Sequence, residues 1–142
     1  MRVVTSLSSD KGILLVLGFA FVVMLAAVIP IFYGVRDAGI IIKDSSIKIT
    51  GLYGTEIPFD QIKSIEIINE LPQMKMRTNG LGTSSTLKGH FLTEGNKNVL
   101  LFIKVGYSPI FRIETQSGEF IFLSFKDSKK PDLLKDLQNH LF

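Results

Sequence analysis

Lys75, Arg77, Lys88 and His90 are the side chains in this sequence whose types and spacing best suit joint chemistry. If residues 74–77 pair antiparallel with 87–92, the two-residue period of a strand puts Lys75 and Arg77 on one face. Lys88 and His90 then fall on the corresponding face of the partner strand. The connection from Thr78 to Thr86 adds the Asn79 amide, glycines and hydroxyls. Four potential cations around such a loop would receive an anionic group: a lipid headgroup, a glycan acid or the carboxylates of a partner protein. The plainer reading is a solvated sheet face, since surface Lys and Arg need no special explanation.

Other chemistry has little to stand on. The chain has no cysteine and two histidines, and it holds neither H-E-x-x-H nor G-x-S-x-G. His90 and His140 have no neighbouring ligand pattern, so neither a metal nor a cofactor is expected. His140 falls in the last turn of an expected helix, where histidine serves the free carbonyls. Gly80-Leu81-Gly82 lacks the following helix that a dinucleotide fingerprint requires. The expectation is therefore a protein without catalytic activity. A hydrolase built from scattered residues is the alternative that no motif supports.

The elements around these residues follow mostly a period of two. Ile40–Lys43 and Ile47–Thr50 read as a hairpin around Asp44-Ser45-Ser46, followed by an irregular connection between Gly51 and Gly54. Residues 62–68 form a half-buried strand with Ile65 and Ile67 on one face, and Met74-Lys75-Met76-Arg77 alternates strictly. Two further hairpins join 87–92 to 99–105 and 109–115 to 119–125. Strands 98–104 and 120–125 are apolar on both faces, which calls for a second cover, most simply the helix at the end of the chain. That helix is capped by Asp127 or Ser128, carries Pro131 in its first turn, and places Leu133, Leu134, Leu137 and Leu141 on one stripe.

Ahead of these strands, residues 12–35 carry no charged side chain. As a helix the run is long enough to cross a hydrocarbon core of about 30 Å. It is too long for the apolar part of a cleaved signal peptide, and the remaining hundred or so residues are too few to wrap it as a buried core helix. Tyr33 suits the interfacial position near its end, and Pro30 is tolerated there. The expected organisation is a tail over 1–11, a transmembrane helix over 12–35 and one domain over 36–142. Arg2 and Lys11 before the span balance Arg36, Lys43 and Lys48 after it, so the charges do not set which side of a cell membrane the domain faces.

Removing Arg2, Lys11 and Asp10 from the totals leaves 14 Lys and Arg against 12 Asp and Glu in residues 36–142. The charges are interleaved, which argues against nucleic acid as a partner.

The succession Ile49-Thr50-Gly51-Leu52-Tyr53-Gly54, Ile57-Pro58, Ile62-Lys63-Ser64-Ile65, Leu71-Pro72, Arg77-Thr78-Asn79-Gly80, Gly89-His90-Phe91 and Ile113-Glu114-Thr115 through Gly118 to Phe122 resembles bacterial pleckstrin-homology (PH)-like domain proteins. The resemblance covers roughly residues 38–142. It implies a mainly β (α+β) fold: a PH-like barrel or sandwich of about seven antiparallel strands capped by a C-terminal amphipathic helix, here preceded by one transmembrane helix. It further implies a scaffolding or interaction module that binds protein partners or its own copies at the membrane. Phosphoinositide binding of the eukaryotic kind needs several cations on the first hairpin, where this chain offers Lys43 and Lys48 with Asp44 between them. The second reading is an anionic lipid headgroup, or another anion, held by Lys75, Arg77, Asn79, Lys88 and His90.

Overall fold

The computed structural model describes residues 6–127 and 129–141. Arg2 and the possible cap Ser128 lie outside the described residues. The chain divides into two compact units, with the boundary between Tyr33 and Gly34.

The described part of the first unit is helical: it lies in α1 (Ser6–Gly34), whose last residue, Gly34, opens the second unit. The helix's stretch Asp10–Gly34 has 25 residues, and the most apolar 18-residue window within it has a mean hydropathy of 3.0 and no burial, so it is long and apolar enough to cross a membrane. The helix begins at Ser6, inside what the sequence suggests is a tail, because hydropathy marks the lipid-compatible stretch rather than the helix ends.

The second unit contains two sheets and a helix. Strands β1 (Gly39–Ile42), β2 (Ser46–Thr50) and β3 (Thr55–Pro58) form an antiparallel three-stranded sheet in that order. A single 3-10 turn at Phe59–Gln61 leads to β4 (Ile62–Ile68), β5 (Met74–Gly82), β6 (Thr86–Thr93), β7 (Asn98–Lys104), β8 (Ile110–Thr115) and β9 (Phe120–Leu123). These six strands pair in the order β4-β8-β9-β7-β6-β5. The chain ends in α2 (Lys129–Leu141). The class is α+β and mainly β.

Three features depart from the expectation. The described residues form nine strands rather than about seven, and the two sheets do not close into one barrel. Strands β7 and β9 are parallel, pairing Val99 with Phe120 and Phe102 with Leu123. The cover of the doubly apolar strands is also different. The larger core joins Ile47, Ile49, Ile65, Phe102, Phe111 and Ile113 to Leu134 and Leu137 of α2, so that helix and the three-stranded sheet share one face. The other face holds Val99, Leu101, Ile103, Ile110 and Phe122, and it is covered by Ile68, Leu71 and Met74 from the end of β4, the connection and the start of β5.

Helix α2 begins as the sequence suggests, with the Lys129 amide donating to Asp127 Oδ1 at 3.0 Å. Its buried stripe is narrower than the leucine count: Leu134 and Leu137 are buried, whereas Leu133 is 43% exposed. Gln138 Nε2 donates at 2.7 Å to the carbonyl of Ile65, supplying a partner on the edge strand β4. His140 Nδ1 lies 2.7 Å from the carbonyl of Asp136, one turn back.

Candidate functional site

The β5–β6 hairpin does not gather the four expected cations. Its register shifts between Met74 and Met76 and again between Arg77 and Asn79, and each bulge reverses the face taken by the residues beyond it. Arg77 consequently pairs with Phe91, which belongs to the smaller core. Lys88 and His90 pair across β7 with Phe102 and Leu100, which belong to the larger one. Arg77 therefore lies on the opposite face from Lys88 and His90. Lys75 is exposed and donates to Asn96 Oδ1 at 3.3 Å. Met76, expected to share a face with Met74, is 53% exposed, while Met74 packs on the smaller core. The expected polar loop is mostly strand, since β5 continues to Gly82 and β6 resumes at Thr86.

Lys88 is instead part of a lysine socket around residues 35–38. It is only 3% exposed, and its ammonium donates to the carbonyl of Arg36. Lys104 Nζ donates to the carbonyl of Val35 and, at 3.1 Å, to Thr86 Oγ1. Lys130 Nζ donates to the carbonyl of Ala38 at 2.9 Å. Asp37 completes the set: its Oδ1 is 3.5 Å from Lys104 Nζ, and its Oδ2 accepts the Lys126 amide at 3.0 Å. Three ammonium groups thus satisfy three backbone carbonyls within four residues. Burial pushes the Lys88 ammonium below its ordinary pKa, helped by repulsion from Lys104 and opposed by attraction to Asp37.

His90 lines a cleft of about 330 Å³ between the two sheets, to which Asn79 is linked only through Tyr53. Tyr53, Glu56, Gln61, His90, Ser117 and Glu119 supply its polar wall, while Ile57, Leu100 and Ile121 supply an apolar one. Tyr53 adopts a left-handed φ of 65° in the turn that its flanking glycines close, where Gly54 N donates to Gly51 O at 3.0 Å. Its ring stands edge-on to His90, with centroids 6.2 Å apart and planes at 88°, and its hydroxyl donates to Asn79 Oδ1 at 3.3 Å. Gly89 makes this approach feasible. A Cβ there would lie 3.1 Å from the Tyr53 ring and 2.5 Å from the Asn79 carbonyl.

Glu56 accepts from Lys43 at 2.8 Å and from Ser46 at 2.7 Å, and these hydrogen bonds hold its carboxyl below the ordinary range. With the carboxylates Glu56 and Glu119, the hydroxyl residues Tyr53, Thr55, Thr115 and Ser117 and one imidazole in its lining, the cleft suits a hydrogen-bonding ligand better than an anion. Tyr53, Glu56 and Glu119 are absent from the sequence-derived set. The signal for Tyr53 is its place between Gly51 and Gly54; nothing local points to the glutamates. Among the described residues no three His, Cys, Asp or Glu side chains cluster as a metal site. Compared with family models, curated proteins and solved structures, the chain matches none of them.

Proposed function

We propose that the chain is a membrane-tethered, PH-like interaction module that engages a protein partner or a second copy of itself and carries out no catalysis. The observation that carries this reading is the apolar run of α1, exposed through Tyr33, which continues in the chain directly into the segment fastened by Lys88, Lys104 and Lys130. With no loose linker at this point, whatever the β domain binds is met within a short chain length of the bilayer. Supporting the PH-like reading are the mainly β domain, its C-terminal amphipathic helix and the residue succession from Ile49 to Phe122.

An edge strand offers the route to a partner. Among the described residues, strand β1 is paired on one side only, and it exposes Ile41 and Ile42. Beside it, Ile42, Phe59, Leu133 and Leu137 line a shallow groove of about 310 Å³ against α2. An extended segment added to β1 would satisfy its outer backbone groups and set apolar side chains in this groove. Geometry does not favour the anionic-headgroup reading of the β5–β6 hairpin, since Lys88 is engaged by Arg36 and Arg77 faces away.

Photo-crosslinking in intact membranes tests the proposal. A photoreactive residue at Ile42 or Leu133 should give a discrete protein adduct, whereas one at the exposed Ile67 should not. Equal absence of adducts at all three positions contradicts it.

A further inference from the structure

The loops at one end of the β domain differ in chemistry from those at the other. Gly51–Gly54, Leu81–Thr86 and Val105–Pro109 contain no charged residue. Turns at the opposite ends of the same strands carry Asp44, Glu94, Lys97 and Glu119. The uncharged loops also present apolar side chains to solvent: Leu52 is 46% exposed, Val105 45% and Tyr107 40%. Single exposed apolar residues are ordinary, but three on adjacent, charge-free loops form a patch that calls for a cover.

Contacts within the domain bring these loops to one place. A Cβ on Gly34 would meet Leu81 Cδ2 at 2.9 Å and Leu52 Cδ2 at 3.5 Å, so both leucines pack beside the first residue of the domain. The next carbonyl, Val35, is held by Lys104, the last residue of β7, and Val105 N donates to Ser85 O at 3.0 Å. The three loops therefore lie together beside Gly34 and Val35, the first residues of the domain.

We infer that this end of the domain is a bilayer-contact surface, with Leu52, Val105 and Tyr107 seated at the boundary between headgroups and acyl chains. The inference rests on the proposed membrane anchor. Covalent continuity identifies the occupant: Gly34 follows Tyr33 directly, so lipid headgroups lie within one residue step of these loops once the helix spans the bilayer. The chemistry agrees. Apolar and aromatic tips insert into the interfacial layer, tyrosine suits the headgroup level, and uncharged loops avoid the cost of desolvating charge there.

The chain lacks tryptophan, so an introduced one reports alone. Leu52→Trp, Val105→Trp, Val22→Trp and Ile67→Trp variants of the full chain are reconstituted in phosphatidylcholine–phosphatidylglycerol vesicles. Lipids brominated near the headgroup end of the acyl chain should quench Trp at 52 and 105 by about twofold or more, the level expected for groups sunk roughly 5–10 Å into the interface. Trp at 67 should stay unquenched, and Trp at 22 should respond to lipids brominated deep in the chain. Quenching at 22 with positions 52 and 105 behaving like 67 overturns the contact surface and leaves the anchor standing. No quenching at 22 overturns the anchor and the surface together.

Discussion

Lys88 Nζ donates to the carbonyl oxygen of Arg36, 52 positions earlier in the chain, from a residue that is 3% exposed. A buried ammonium held by a neutral carbonyl is costly, and losing the donor strands that carbonyl in turn. Lys88→Met keeps most of the side-chain volume and removes the donor. It is expected to destabilise the β domain by about 1–3 kcal/mol, against less than about 0.5 kcal/mol for Lys75→Met on the surface. Chemical denaturation of the full chain in detergent micelles, followed by circular dichroism, measures both.

The same burial makes a pH prediction. The folded-state pKa of Lys88 lies below the ordinary value of 10.5, mainly because burial disfavours the charge. Between the two values the unfolded chain binds more protons, so this residue's contribution to stability rises with pH across that window and is level below it. Wild type should gain on Lys88→Met as pH is raised toward 10.5. Parallel stability curves would contradict the assignment.

Two carboxylates titrate in the opposite sense. Glu56, bonded to Lys43 and Ser46, and Glu114, bonded to Lys63 at 2.7 Å, are both held below the ordinary 4.5. Their depressed values mean that the stabilisation is present above 4.5 and lost as pH falls through the folded-state pKa. Carbon-detected NMR titration should show Glu56 returning toward 4.5 in Lys43→Gln and Glu114 doing so in Lys63→Gln, each without moving the other.

Gly89 is the backbone requirement of the cleft. Its φ is 103°, and a Cβ would stand 2.6 Å from Gly80 Cα in addition to its contacts with Asn79 and Tyr53. Gly89→Ala should cost at least about 2 kcal/mol and disturb the Tyr53–His90 packing. Gly95→Ala, where the nearest atom is 3.7 Å away, should be nearly neutral. Thermal unfolding with tyrosine fluorescence separates the two.

How far the sequence reveals this structure depends on the range of the determining interaction. Local patterns suffice for the uncharged run, the hairpins β1–β2, β6–β7 and β8–β9, and the Asp127 cap of α2. Strand β3 is hidden because Gly54 and Pro58 bracket it as if it were loop, and the end of β5 is hidden because Asn79, Gly80 and Gly82 have turn chemistry. The site suffers most. Two bulges cancel the strict alternation of residues 74–77, and a period-two count cannot reveal them. Nor does anything near Lys88 announce a carbonyl partner contributed by the segment after α1, so a buried structural lysine reads as a surface cation. The parallel pairing of β7 with β9 is likewise set by long-range packing.

The tether is the claim on which the functional account depends, and alkaline carbonate washing of membranes containing the full chain tests it most directly. A spanning helix with a 25-residue apolar stretch should keep the chain in the membrane pellet until detergent is added, since carbonate strips proteins held by surface charge alone. Release of the chain into the carbonate supernatant would contradict the account.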